Sequence, residues 1–251
     1  MFPTLNIPGL GVFKIKYKRM NDDNPEEYDE WLEHYKATII GADKEEVGRV
    51  MWRSVNRLLI YRGGLQDELE MSEYGGMELE HIGRKLFDKN GDFLHEDHGT
   101  FNAELNLSNF AVIAGDPCHS SGENMYIKPG YRGHGLGSWL LSQIYDHSSF
   151  EDISFAFVWP TVLDSEIQSC EQTEERQSSY CRVLKFFQKN GFRKVDQSSG
   201  ILGYAIYWDD HVSRMLPMES DKVDHLIDPA SQAERQNANA MAALARAFGQ
   251  Y

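Results

Sequence analysis

The chain has 251 residues, of which 41% are hydrophobic and 25% are charged, and this composition is that of a globular protein with one or two domains. No run of residues approaches the ~20 apolar residues of a membrane span, and the first residues lack the compact apolar core of a secretory signal. The net charge of −14 disfavours nucleic-acid binding and suits a cationic or amine-bearing partner. We therefore expect neither a membrane nor a nucleic-acid protein.

The chain has three cysteines, Cys118, Cys170 and Cys181, and no CxxC spacing. The odd number of cysteines argues against a disulfide framework, and the absence of closely spaced cysteine pairs argues against a zinc module. The cysteines fit a reducing compartment, so we expect a cytoplasmic or nuclear location, ordinary thiols and no bound metal.

The first element that the sequence predicts is a strand over Val12 to Lys18, where apolar residues alternate with lysines. The lysines on its outer face either form an ordinary solvated surface or attract an anionic ligand. A first helix is predicted next. Its start has the residues typical of an N-cap, an N1 proline and a capping box, namely Asn24, Pro25 and Glu27. Aromatic and leucine residues then repeat at helical spacing up to Tyr35.

A second helix is predicted over Lys44 to Leu59, on an apolar stripe at helical spacing. Residues 62–78 carry two glycine pairs and little periodicity, which indicates a loop. Leu79 to Phe87 is predicted as a strand, followed by a turn at residues 88–91.

The second half of the chain alternates strands and helices, a mixed α/β order. Its predicted strands are Asn109 to Ala114, Asn124 to Lys128, Ile153 to Trp159, Phe192 to Val195 and Ile201 to Trp208. Its predicted helices are Ser138 to Tyr145 and about Arg176 to Lys189, the latter preceded by a polar stretch over Asp164 to Ser178.

Beyond about residue 210 the chain becomes polar, and we divide it there into a domain over residues 1–210 and an extension over 211–251. Ser231 and Glu234 form a capping box ahead of an apolar stripe that ends at Phe248. This amphipathic terminal helix either docks on its own domain or makes an intermolecular contact, for example in a homo-oligomer.

A glycine-rich loop is the most informative segment. Gly130, Gly133, Gly135 and Gly137 lie between a short strand and an apolar helix. Glycines allow close approach of the backbone, and the first N–H groups of the helix favour an anion such as a phosphate or pyrophosphate. Arg132 adds positive charge.

Two nucleotide motifs do not fit this loop. A Walker A loop requires a lysine that the sequence before Ser138 lacks, and the dinucleotide fingerprint lacks its last glycine there. The loop also follows several strands instead of opening a βαβ unit.

The loop resembles the acyl-CoA signature of the GNAT superfamily of N-acetyltransferases, Gln/Arg-x-x-Gly-x-Gly/Ala, which Arg132 to Gly137 matches at every fixed position. A second segment, Leu184 to Phe192, is similar to the family's FYxKxGF segment. The resemblance covers about residues 107–208. A finer resemblance is to some fungal GNAT-like proteins of unassigned substrate, which have a similar strand–turn–strand ahead of the loop.

This resemblance implies a GNAT-like mixed sheet of about six to seven strands flanked by helices, with the C-terminal amphipathic helix added. It implies acetyl-CoA as cosubstrate, an amine acceptor on a small molecule or a protein, and direct acyl transfer without a metal. The residues that it implies for acyl-CoA binding are Tyr126, Ile127, Arg132, Gly133, His134, Gly135, Leu136, Gly137, Ser138 and Phe187.

The resemblance determines the catalytic residues less sharply. Glu123 lies near the position where many relatives have an acidic residue, and it is the candidate general base. Many relatives have a tyrosine, the proton donor to the CoA sulfur, where this chain has Phe187. Tyr180, two helical turns earlier, is the candidate donor. The alternative is a catalytically weak acyl-CoA-binding or scaffold protein that acts through its C-terminal helix.

Overall fold

The protein is a mixed α/β structure. The computed structural model describes residues 3–21, 29–60, 64–72, 76–95, 100–106, 108–114, 125–162, 173–196 and 199–223. Within these ranges, one sheet contains nine strands: β1 Thr4–Ile7, β2 Gly11–Arg19, β3 Leu32–Ile40, β4 Glu46–Val55, β5 Phe110–Ala114, β6 Met125–Ile127, β7 Phe155–Val158, β8 Arg193–Lys194 and β9 Leu202–Ala205. The helices are α1 Leu65–Met71, α2 Gly76–Leu86, α3 Leu136–Tyr145, α4 Thr173–Lys189 and α5 Val212–Met215.

The strands lie in the order β1-β2-β3-β4-β5-β7-β9-β8, and β5 and β7 are the parallel neighbours in it. β6 lies outside this path, because it pairs with the first half of β4 while β5 pairs with the second half. β5 and β6 together therefore form one interrupted strand beside β4.

Helices cover both faces of the sheet and bury two separate apolar clusters. One cluster packs α3 and α4 against side chains such as Phe13, Trp52 and Ala156. The other packs α1 and α2 against side chains such as Val55 and Phe157. These three layers agree with the predicted GNAT-like fold. Among the described helices, none combines the length and the apolar character that crossing a bilayer requires.

The first half of the chain departs from the predicted elements. The helical spacing that ends at Tyr35 belongs to β3, and the helix predicted over Lys44 to Leu59 is β4. β4 is buried on two sides over much of its length, so its apolar residues do not alternate simply. β3 alternates buried and half-buried residues from Tyr35 to Ile40, as a strand with one covered face does. Together with β1, which was also not predicted, these two strands bring the sheet to nine strands, more than the six to seven expected. The predicted helix start at Asn24 to Glu27 lies outside the described residues.

The helices occur where a loop and a strand were predicted. α1 and most of α2 lie in or directly after the glycine-rich stretch of residues 62–78, and the strand predicted over Leu79 to Phe87 is the body of α2. Leu79, Ile82 and Leu86 share the buried side of this helix. The predicted turn at residues 88–91 is present, and it joins the bridge between Phe87 and Phe93.

In the second half, the predicted elements are confirmed with small shifts of their ends. The strands are shorter than predicted by one to three residues at an end, and α4 begins at Thr173. The helix after the glycine loop begins at Leu136 instead of Ser138.

Residues 211–223 pack against the sheet. The imidazole of His211 lies 2.9 Å from Glu104, and Gln188 donates to Asp221 at 2.9 Å. Val223 is buried in the cluster on the α3 and α4 face. The predicted terminal helix, Ser231 to Phe248, lies outside the described residues.

Candidate acyl-CoA site

A groove opens where β6 separates from the rest of the sheet. β7 continues the sheet beside β5, whereas β6 pairs with β4 in the described structure. The groove has a volume of about 410 Å³ and lies at the carboxyl end of the parallel pair β5–β7. Crevices at the carboxyl ends of parallel strands are common ligand sites.

One edge of β6 faces this groove with its backbone. The N–H of Lys128 donates to the carbonyl of Val47 at 2.9 Å, so the peptide groups of Lys128 and Tyr126 point toward β4. Because hydrogen-bonding direction alternates along an antiparallel strand, the peptide groups of Met125 and Ile127 point toward the groove. The carbonyl of Ile127 accepts a hydrogen bond from Arg132 Nε at 2.7 Å. The N–H of Ile127 therefore faces the groove beside this contact.

The glycine loop ends in a left-handed residue at the start of α3. Gly133 and Gly135 have φ of 79° and 82°, a region that strongly favours glycine. A Cβ at either position would meet no protein atom within 4 Å, so both glycines border open space. The first α-helical hydrogen bond in α3 runs from Trp139 N–H to the carbonyl of Gly135. The N–H groups of the three preceding residues thus have no intrahelical acceptor and lie at the groove.

Gly137 has a different role from the other loop glycines. A Cβ there would lie 3.1 Å from the ring of Phe186 and 3.3 Å from Met125. The absence of a side chain lets α3 approach α4 and β6, which form the other walls of the groove. Gly137 is a packing glycine.

The cationic side chains that line the groove come from both ends of the site. Arg132 comes from the loop, and Arg182 and Lys189 come from α4. Arg182 donates to Ser179 Oγ at 2.7 Å, which orients it along the groove wall. No carboxylate lines the groove within the described residues, although the whole chain carries a charge of −14. The site is therefore locally positive in an acidic protein.

The turn ahead of the loop is tied to the β3–β4 connection. Glu45 accepts a hydrogen bond from Lys128 at 3.0 Å and one from Tyr131 at 3.1 Å. These hydrogen bonds lower the pKa of Glu45 and raise the pKa values of both donors. The ring of Tyr131 also packs edge-on against Phe13, with centroids 5.9 Å apart. Together these contacts hold the entrance to the loop.

The structure brings most of the predicted cofactor residues together. Ile127, Arg132, Gly133, Gly135, Leu136, Gly137, Ser138 and Phe187 all line the groove. His134 is exposed in the loop. Tyr126 faces the other side of β6, where the Arg49 guanidinium carbon lies 5.0 Å from its ring centroid.

Of the two candidate catalytic residues, the structure describes one, Tyr180, and it does not line the groove. Glu123 lies outside the described residues. Tyr180 is fully buried between α4 and the sheet, and a Cβ on Gly200 would lie 3.1 Å from its hydroxyl and 3.9 Å from the Trp159 indole nitrogen. Its role as proton donor stays a prediction.

Sequence reasoning missed part of α4. Ser179, Arg182, Val183 and Phe186 line the groove at the spacing i, i+3, i+4 and i+7, and Lys189 lines it further along. This spacing marks one face of a helix, and it is the signal that could have identified these residues. Thr161, just beyond β7, completes the wall.

In the part of the chain that the structure describes, no cluster of three or more histidine, cysteine or acidic side chains is arranged to hold a metal ion.

Comparison with known proteins gives one family. Residues 96–194 match the model of the acetyltransferase (GNAT) domain. This range contains β6, the glycine loop, α3 and α4, which line the groove, and the neighbouring strands β5 and β7. No curated protein and no solved structure gives a significant match to the chain.

Proposed function

We propose that the protein is an N-acetyltransferase of the GNAT superfamily that transfers an acetyl group from acetyl-CoA to an amine, and the match of residues 96–194 to the GNAT domain supports this proposal. One observation carries this proposal: the first turn of α3, the outward edge of β6 and three cationic side chains line the same groove. A pyrophosphate fits the helix start and its cations, and an amide-bearing pantetheine arm fits an open strand edge.

In the proposed reaction the amine nitrogen attacks the thioester carbon directly. A C–N bond forms, the C–S bond breaks, the amine loses one proton and the departing CoA thiolate gains one. The N–H of Ile127 is our candidate donor to the thioester oxygen, because it points into the groove and the oxygen gains charge in the transition state. Most of the acceleration then comes from holding the two substrates in line.

We propose Glu123 as the residue that accepts the amine proton and Tyr180 as the donor to the thiolate. Tyr180 is buried with its hydroxyl next to Gly200, whereas its neighbour Ser179 lines the groove, so the proposed donor role requires a proton relay from the Tyr180 hydroxyl to the groove. The thiol pKa of about 8.5 makes CoA a tolerable leaving group, so a donor accelerates the reaction without being indispensable.

Acetyl-CoA binding and thiol release test the proposed function in sequence. Acetyl-CoA at about 100 times its Kd should stabilise the fold by about 2.7 kcal/mol and raise the melting temperature by about 5–10 °C. Free thiol should then appear faster with an amine than without one, measured over a panel of small amines, polyamines and peptides. A melting shift without amine-dependent thiol release on any amine would contradict catalysis and support the acyl-CoA-binding alternative.

The cations of the groove give a further prediction. Arg132→Glu should raise the Kd for acetyl-CoA about tenfold, because a carboxylate replaces a cation next to the bound phosphates. Arg182→Gln and Lys189→Gln should each give a smaller rise, about two- to fivefold. Calorimetric titration at low and high salt measures all three. Lys222→Glu, an exposed lysine outside the groove, is the matched control and should leave the affinity unchanged. Equal affinities for wild type and all the groove variants would place the phosphates elsewhere.

A further inference from the structure

Five exposed or half-buried cations lie on one face of the sheet, opposite α3, while Arg53 on the same side of β4 is buried and lies 3.7 Å from Glu78. The five cations are Lys14, Lys16 and Lys18 on β2, Lys36 on β3 and Arg49 on β4, and together we call them the lysine face. The three β2 lysines are exposed, while the residues that alternate with them, such as Phe13 and Ile15, are buried under α3. Helices α1 and α2 cover the same side of the sheet further along, over β5 and β7.

On the described residues of β2, β3 and β4, cations outnumber carboxylates on this side of the sheet. Glu46 is the acidic side chain that β2, β3 and β4 place on this side, and it lies 3.0 Å from Arg49 and 4.0 Å from Lys36. Beside the five cations of the lysine face these three strands therefore place one carboxylate, and Lys14 and Lys16 are exposed next to it on β2. This local sign is opposite to that of the whole chain, whose net charge is −14.

The strand register connects the lysine face to the groove. Lys16 pairs with Thr38, Thr38 pairs with Arg49, and Arg49 pairs with Tyr126 on β6. Neighbouring strands lie about 4.8 Å apart, so Lys16 is about 14 Å from Tyr126 along this row. Tyr126 is next to Ile127, whose N–H faces the groove. An extended peptide covers the same distance with about four residues.

We propose that the lysine face binds an acidic segment of a polypeptide acceptor, with carboxylates about four or more residues from the amine that is acetylated. The position of that amine rests on the proposed function, whereas the binding of the acidic segment does not. Carboxylates on alternate residues of an extended segment that lies along β2 repeat about every 7 Å, as the three lysines of β2 do. The acceptor chain then turns and crosses β3 and β4 to bring its amine to the groove. The face therefore selects acceptors by charge at a fixed distance from the reaction.

A peptide fits the lysine face better than a nucleic acid does. Proteins that bind single strands combine cations with exposed aromatic rings on which bases stack. Here Phe13 and Tyr35 lie on the opposite side of the sheet, and the guanidinium of Arg49 covers the ring of Tyr126. A long polyanion also meets the repulsion of the whole acidic chain. A short acidic segment is screened from that repulsion beyond about 8–10 Å.

The test measures binding of an acidic probe peptide without any acyl transfer. The probe has eight residues, four of them Asp or Glu, with no lysine, an acetylated N-terminus and a C-terminal fluorophore for anisotropy. The full chain should bind it, with a Kd that rises with salt concentration. The triple variant Lys14→Glu, Lys16→Glu, Lys18→Glu should weaken binding at least tenfold.

A matched triple variant separates the lysine face from net charge. Lys85→Glu, Lys89→Glu, Lys222→Glu changes the total charge equally at three exposed lysines outside the lysine face, and it should keep the affinity within about twofold. Melting curves check that each variant folds, and Lys→Gln replacements at positions 14, 16 and 18 provide a milder version. No binding to the wild type, equal loss in both triple variants, or tighter binding of an oligonucleotide of equal charge would each overturn the proposal.

A second experiment measures acetyl transfer to peptide acceptors. If the proposed function holds, moving a pair of glutamates along a peptide acceptor should give the lowest KM when they lie four or more residues from the amine, with kcat little changed. The triple lysine variant should abolish this preference and keep turnover of a small amine. Absence of turnover by the wild type on every amine would count against the proposed function. Wild-type turnover without any positional preference, or loss of small-amine turnover in the triple lysine variant, would count against the lysine face alone.

Discussion

Gly135→Val should raise the Kd for acetyl-CoA at least about 100-fold while the protein stays folded. With a φ of 82°, this position costs a non-glycine residue about 1–3 kcal/mol, and more when the side chain is β-branched. The loop must then shift, which moves the first N–H groups of α3 away from the phosphates. The added Cβ meets no protein atom within 4 Å, so the core is not disturbed. Titration calorimetry and a melting curve measure the two effects separately.

Gly130→Val is the matched control in the same loop. A Cβ on Gly130 would also meet no protein atom within 4 Å, but this residue does not have a positive φ. Its replacement should change the affinity by less than about threefold, because no strain is introduced. Gly137→Val should weaken binding by another route, since its side chain would displace Phe186 from the groove wall. Equal affinity in wild type and Gly135→Val would contradict an acyl-CoA site at this loop.

The glycine loop was predictable because its function is encoded locally. Five consecutive residues contain every feature of the loop that matters for binding. They are the cation of Arg132, the positive φ angles of Gly133 and Gly135, and the start of the helix at Leu136. A motif of this kind keeps its meaning whatever the surrounding structure. The same holds for the end of α4, where Gly191 has a φ of 93° and stops the helix before β8.

The first half of the chain was predicted less well because tertiary burial overrides its local pattern. β4 is buried along most of its length, between β3, β5 and β6, so its apolar residues do not alternate. Val47, Val50 and Val55 fit a helical stripe as well as a strand by spacing. Their β-branched side chains favour a strand, and this preference predicts the observed structure better than the spacing does.

Helices α1 and α2 were missed for the opposite reason. Glycine pairs at residues 63–64 and 75–76 indicated a loop, but Gly64 and Gly76 stand at the starts of the two helices. Gly83 lies inside α2, where a Cβ would meet the side chain of Leu69 at 2.1 Å. This glycine permits close packing of α1 on α2, an interaction that sequence spacing alone does not reveal.

The groove was predicted in its loop half and missed in its α4 half. Arg182 and Lys189 lie about fifty residues beyond the loop and reach the groove only because α3 and α4 pack on the same face of the sheet. The lysine pattern of β2 was visible in the sequence, but its closeness to the groove depends on the register of β3, β4 and β6. Long-range pairing of this kind has no local signature.

Tyr180→Phe tests the proposed proton donor, with an expected fall in kcat of about 100-fold and little change in acetyl-CoA affinity. The buried position of Tyr180 makes this a sharp test, because removing its hydroxyl leaves the side chains that line the groove in place. Single-turnover thiol release reports the chemical step, and calorimetry reports the affinity. Tyr145→Phe is the matched control, since it removes another buried tyrosine hydroxyl on the same face of the sheet, from α3.

Two further results decide between a donor and a packing residue. Phe187 lines the groove directly, so Phe187→Tyr adds a hydroxyl to the groove wall, where the proposed function places the CoA thioester. If thiolate protonation limits the rate, this change should rescue Tyr180→Phe, and the rate of the rescued variant should fall above the pKa of the new hydroxyl, normally near 10. If Tyr180 only supports α4, Phe187→Tyr should rescue nothing, and Tyr180→Phe and Tyr145→Phe should lower the melting temperature alike with kcat unchanged. Full activity in Tyr180→Phe would end the donor role and leave solvent water to protonate the thiolate, a reaction that the low thiol pKa permits at neutral pH.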